Sequence, residues 1–200
     1  MTVKSRIAVC ILAGGESRRF GGNKALAEWR GGTLIGHILD RVRAQTDGPV
    51  AINAAAPEAF AGLGVPVVSD EAWLQAGPLA GVRTAMLWAD RAGHAEVVTL
   101  GVDLPFLPKD YIAAIAEPRA PAVAGSDGRL HPVNGIWPVA QLPELEAYLE
   151  SGKRSAHGWS ESCNAAIVEF APTNAGIDPF FNVNTAEDLR IAMELADRDR

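Results

Sequence analysis

Short apolar runs rich in β-branched residues alternate along this chain with longer stretches of helical period. Residues 7–12 read as a buried strand, 50–52 as a second, 66–68 as a third, 97–102 as a fourth and 120–124 as a fifth. Between and after them the pattern predicts helices. One runs from a Thr33 N-cap to about residue 45, with Leu34, Ile38, Arg41 and Val42 near one face. A short one covers 57–63, and a long one covers 78–91, with Gly77 as N-cap and Pro78 in its first turn. Others cover 108–116, 142–149 and 185–197, the last capped by Thr185. Residues 125–184 are less regular, with an antiparallel strand expected around 133–137. Strand–helix alternation of this kind predicts a three-layer α/β/α fold on a mostly parallel sheet. The length of 200 residues suits one domain, residues 1–200.

Charge and cysteine content narrow the function classes. The 18 Lys and Arg against 24 Asp and Glu leave a net charge of −6, unsuited to generic binding of a nucleic-acid backbone. The first apolar run, residues 7–13, falls far short of the roughly 20 residues that span a membrane. Lys4 and Arg6 mimic the start of a signal peptide, but a first buried strand accounts for the run better. Cys10 and Cys163 support neither a disulfide framework nor a Cys-rich zinc site, and suit a reducing cytoplasm.

In an open α/β sheet, ligands bind beyond the carboxyl ends of the strands. Here those ends carry Ala13-Gly14-Gly15, Asn53, Ser69-Asp70 and Asp103. Each alone is a common turn residue; together they mark one candidate site. The stretch Leu12-Ala13-Gly14-Gly15-Glu16-Ser17-Arg18-Arg19-Phe20-Gly21-Gly22-Asn23-Lys24 matches neither the P-loop nor the G-x-G-x-x-G pattern. It still offers glycines that let backbone N–H groups approach phosphate, and three cations, Arg18, Arg19 and Lys24, to neutralise one. Asp103, ending a buried strand, suits a hard cation such as Mg2+ bound jointly with substrate phosphates; a turn cap before Pro105 is the competing reading. Asp70 also reads as an N-cap. His131 reads as structural or substrate-positioning, and no Ser/His/Asp or Cys/His catalytic grouping is evident.

Five stretches carry a resemblance: Leu12 through Leu26, Gly77-Pro78-Leu79-Ala80-Gly81, Asp103-Leu104-Pro105, His131-Pro132, and Asn182 through Leu189. In this order they resemble the molybdenum cofactor guanylyltransferases across almost the whole chain. The resemblance implies a Rossmann-like sheet of the nucleotide-diphospho-sugar transferase type. It implies an enzyme that moves GMP from GTP to molybdopterin-bound cofactor, releasing pyrophosphate. Leu12, Ala13, Gly14 and Gly15 would then meet guanine and nucleotide, Asn53 and Asp70 the nucleoside, and Lys24 and Arg19 the phosphates. Asp103 would hold Mg2+, and Arg154, Asn182 and Asn184 would lie toward the metal or the pterin phosphate. Apo-molybdoenzymes and other cofactor-biosynthesis proteins are implied partners, with no nucleic acid or membrane. Two departures stand out. Asn23 replaces the family's usual Asp beside Lys24, and residues 155–163 match only loosely. A CTP-dependent relative, a sugar-phosphate nucleotidyltransferase and a non-catalytic nucleotide-binding protein stay open as alternatives; Gly14 favours guanine over cytosine, because cytidylyl enzymes tend to carry Ala there.

Overall fold

The computed structural model describes residues 5–14, 20, 22–69 and 77–198. Among these residues nine strands form: β1 (Ala8–Leu12), β2 (Glu28–Trp29), β3 (Gly32–Thr33), β4 (Val50–Asn53), β5 (Val67–Val68), β6 (Glu96–Gly101), β7 (Ala122–Ser126), β8 (Arg129–Pro138) and β9 (Ala166–Glu169). Six helices accompany them: α1 (Leu34–Arg43), α2 (Pro78–Arg91), α3 (Tyr111–Ile115), α4 (Leu142–Glu150), α5 (Ala156–Ser162) and α6 (Ala186–Arg198). The main sheet runs in the order β5-β4-β1-β6-β8-β7-β9. Every neighbouring pair is parallel except the two that involve β8, so β8 alone is reversed.

Period-two alternation splits the central strands between two cores. Val9 and Ile11 of β1 face a cluster with Ile35, Ile38 and Leu39 of α1 and Tyr111 and Ile112 of α3. Ala8 and Cys10 face the opposite cluster, with Leu79, Val82 and Met86 of α2, Leu145 and Leu149 of α4, and Trp137 and Trp159. A third cluster gathers Trp29, Leu34, Phe106, Ile177 and Val183 with Ala192 and Ala196 of α6.

The caps follow local chemistry. Thr33 Oγ1 accepts the Gly36 N–H and starts α1. Helix α2 spans the expected residues, with Pro78 at its first position after Gly77. Thr185 Oγ1 accepts the Asp188 N–H, while the Asp188 carboxylate accepts the N–H groups of Asn184 and Thr185, a reciprocal cap ahead of α6.

Three expectations shift. Helix α3 is shorter than the 108–116 pattern, because the Gln45 side chain binds both the Pro108 carbonyl and the Ile112 N–H and sets its start from a distance. The antiparallel strand is longer than expected, Arg129–Pro138, with a register shift against β7. The stretch 155–163, which lacked a clear pattern, holds α5, N-capped by Ser155 and followed by the edge strand β9. Among the described residues, no helix is long and apolar enough to cross a membrane.

Candidate functional site

Three parallel strands deliver groups to one edge. Leu12 ends β1, Asn53 ends β4, and Asp103 follows the end of β6 by two residues. Backbone bonds extend the ladder past the strand ends: the Ala13 N–H donates to the Asn53 carbonyl at 2.8 Å, and the Val102 N–H to the Leu12 carbonyl at 3.1 Å.

Asn53 is buried, and its Nδ2 donates to the Val68 carbonyl at 3.3 Å. Its Oδ1 faces two glycines. A Cβ at Gly14 would come within 3.3 Å of that oxygen, and one at Gly81 within 2.9 Å, with Leu12 Cδ2 at 3.1 Å. The first turn of α2 therefore comes close to the start of the glycine-rich loop, with Asn53 between them. At the next strand a Cβ on Gly101 would press on Asp103 Oδ1 and push that carboxylate aside. The Gly101 N–H donates to Asn134 Oδ1 at 2.8 Å, which ties the end of β6 to β8.

Lys24 opens a short 3-10 turn that Asn23 caps by accepting the Ala25 N–H at 3.1 Å. The amide at 23 thus performs a capping task that a carboxylate would also perform. The Lys24 ammonium donates to Asp103 Oδ2 at 2.8 Å and to Asn184 Oδ1 at 3.3 Å, with the Lys24 and Asp103 side chains only 15% and 21% exposed. The loop bearing Asn182 and Asn184 lies against Asp103, since the Val183 N–H donates to the Asp103 carbonyl at 3.0 Å. From beneath, His37 of α1 donates through Nε2 to the Pro105 carbonyl at 2.9 Å. Burial holds the His37 imidazole below its ordinary value of 6.5.

Hard cations take oxygen ligands, and Mg2+ is commonly held by one or two carboxylates with phosphates supplying the rest. Asp103 and Asn184 direct two such oxygens at one point, where the Lys24 ammonium stands as a cation in its own right. Among the described residues no cluster of three His, Cys, Asp or Glu side chains could hold a metal, and an ion on Asp103 and Asn184 would leave places for phosphate and water. The donor set fits Mg2+ on those terms.

The structure brings together Leu12, Ala13, Gly14, Asn53, Lys24, Asp103 and Asn184, with Asn182 on the adjoining loop. Arg154 has other work: its Nη1 donates to the Leu149 and Lys153 carbonyls at 2.6 Å, at the end of α4. Gly15, Arg18, Arg19 and Asp70 lie outside the described residues. One grouping escaped the sequence: Ser126, His131 and Asp178 are joined by hydrogen bonds. Ser126 stands between the other two, so this is not the arrangement of a catalytic triad, in which His stands between acid and nucleophile. Asp178 is 52 residues from Ser126, and no local pattern announces the pairing.

An amide, a lysine and a carboxylate thus stand at the carboxyl edge of a mostly parallel sheet, where ligands bind in open α/β folds. Residues 9–165 match the MobA-like NTP transferase domain, and the chain belongs to that family. Within it, the molybdenum cofactor guanylyltransferase of Acidiphilium cryptum is 41% identical over 191 residues, covering 94% of each chain. That of Rhizobium leguminosarum is 42% identical over 195 residues, covering 93% of this chain and 91% of the relative. The crystal structure of molybdopterin-guanine dinucleotide biosynthesis protein A from Archaeoglobus fulgidus shares the fold at a TM-score of 0.72 and 20% identity, over 96% of this chain and 100% of that one.

Proposed function

We propose that this protein transfers GMP from GTP to molybdopterin-bound molybdenum cofactor and releases pyrophosphate. The observation that carries the reading is the meeting of Lys24, Asp103 and Asn184 at the carboxyl edge of the sheet, in a chain about 40% identical to guanylyltransferases. Leu12, Ala13 and Gly14, with Asn53 behind them, receive the guanine nucleoside. A phosphate-monoester oxygen of molybdopterin attacks the α-phosphorus of GTP; the bond from that phosphorus to the bridging oxygen breaks, and pyrophosphate leaves.

Such a transfer needs positioning and charge stabilisation more than a protein nucleophile. Lys24 offsets negative charge gathering on the phosphates, and Arg19 joins it from the glycine-rich loop. Asp103, with Asn184 beside it, would hold Mg2+. Bound there, such an ion would supply charge neutralisation to phosphate oxygens. Asn182 is assigned to the acceptor side, toward the pterin phosphate, and Arg154 is not, because its guanidinium serves the carbonyls at the end of α4. The reaction serves the cytoplasmic assembly of cofactor for apo-molybdoenzymes.

Pyrophosphate release with molybdopterin, Mg2+ and GTP, CTP or ATP in parallel tests the assignment. GTP is the expected substrate, by at least about tenfold in kcat/KM. A preference for CTP would make the protein a cytidylyltransferase, and binding without turnover would make it a nucleotide-binding protein.

A further inference from the structure

Residues 178–184 carry no strand or helix, yet they are tied at Asp178, Phe180, Phe181, Val183 and Asn184. Asp178 Oδ1 accepts the Ser126 hydroxyl at 2.8 Å and the Phe180 N–H at 2.9 Å. Ser126 is the last residue of β7 and is only 1% exposed. Its Oγ lies 2.8 Å from His131 Nε2. A carboxylate only accepts, so the serine gives its single proton to Asp178 and takes one from His131. Neutral His131 is thereby fixed as the Nε2–H tautomer. Its ring also stacks on Phe180, at 4.4 Å between centroids and 16° between planes.

Further along, Phe181 meets Phe106 edge-on at 6.1 Å, and the Val183 N–H bonds the Asp103 carbonyl. Asn184 then reaches Lys24, and its own N–H is held by Asp188. One short run of chain thus joins the Ser126 cluster to the Lys24–Asp103 pair. Segments without ladder bonds open at low free-energy cost unless side chains hold them. The sheet cannot hold this one, and the polar cluster at Asp178 anchors its start.

We propose that Asp178, Ser126 and His131 form a positioning unit for the transfer reaction, clamping the strap of residues 178–184 so that Asn184 stays on the Lys24–Asp103 pair. This rests on the GMP-transfer reading above. None of the three needs to touch substrate; they act through the strap.

Ser126→Ala removes both hydroxyl bonds and substitutes none of the residues of the Lys24 site. Its kcat with GTP is expected to fall about tenfold or more while KM for GTP stays within about threefold, and Ser126→Thr should recover most of the loss. Amide exchange at Val183 and Asn184 in the substrate-free protein should quicken by about tenfold in the Ala variant and not in the Thr variant. Asp178→Ala, which removes the accepting oxygen on a less buried residue, guards against a folding failure at Ser126. Combined with Asn184→Ala, it should cost little beyond Asn184→Ala alone, because both act on one step. Wild-type kcat in Ser126→Ala, unchanged exchange at Val183, or losses that multiply in the double variant would each overturn the clamp. A wild-type protein that turns over no nucleotide would overturn the transfer reading instead, and the exchange comparison would then decide the clamp by itself.

Discussion

Leu12, Asn53 and Asp103 sit at or within two residues of the end of a parallel strand, whereas Asn182 and Asn184 arrive on a stretch with no ladder. The first group inherits its geometry from the backbone: β1 pairs with β4 on one side and β6 on the other, in register to the last residue. The second group inherits its geometry from side chains, namely Asp178 on Ser126, Phe181 on Phe106, and Asp188 on the N–H groups of 184 and 185. A strand-end residue is placed by its ladder, while a strap residue is only as well placed as its ties. The two halves meet at one ammonium, that of Lys24.

Removing that meeting point should have the largest effect. Lys24→Ala is expected to lower kcat/KM about 100- to 1,000-fold, the range for losing one preorganised charge-stabilising donor. It also strips a mostly buried carboxylate of its partner, so thermal unfolding should move to lower temperature as well. A variant with near-normal turnover would show that the two halves meet without chemical consequence.

The strand-end half is probed next by its glycines. Gly81→Ala drives a Cβ to 2.9 Å from Asn53 Oδ1, and Gly14→Ala brings one to 3.3 Å. Both should raise KM for GTP, Gly81→Ala by about tenfold and Gly14→Ala by less, since its neighbour need shift only slightly. Gly14→Ala should also reduce GTP use more than CTP use; equal losses would give Gly14 a purely conformational role.

Arg154 offers a smaller test. Its bonds to the carbonyls at the end of α4 predict that Arg154→Ala lowers Tm by roughly 2–4 °C, with KM for GTP unchanged. An unchanged Tm with a raised KM for molybdopterin would place it against the acceptor instead.

The smallest effect concerns pH. Burial, first of all, holds both His37 and His131 below their ordinary value of 6.5. The unfolded chain therefore binds protons more readily, so this contribution to stability is complete above 6.5 and is lost as pH falls toward the lowered folded values. Urea midpoints should drop between about pH 7.5 and about pH 5.5, and His37→Gln should remove part of that drop. A midpoint that rises on acidification would contradict the sign.

The same division governs what the sequence discloses. Thr33, Pro78 and Thr185 announce their helices because a cap and the N–H it binds lie within a few residues. The strand-end placement of Asn53 and Asp103 follows from strand–helix alternation and the rule that parallel sheets bind at their carboxyl edge. The early start expected for α3 failed because Gln45, more than 60 residues away, makes the cap. Helix α5 and strand β9 were obscure because α5 buries only Trp159 and Ser160, and β9 is a half-exposed edge strand of four residues. The Ser126–Asp178 tie is invisible for the same reason as the Gln45 cap: its partners are joined by the fold alone.

Asp103→Asn isolates the central claim, that transfer takes place where Lys24, Asp103 and Asn184 meet. The substitution keeps the shape and removes the charge. The deciding measurement is a Mg2+ titration of pyrophosphate release from GTP, with thermal unfolding of the same samples. The account predicts a folded protein whose transfer falls by at least about 100-fold and is not restored by added Mg2+. Unchanged metal dependence and turnover per folded molecule, with only a stability loss of about 1 kcal/mol as for a removed turn cap, would contradict it.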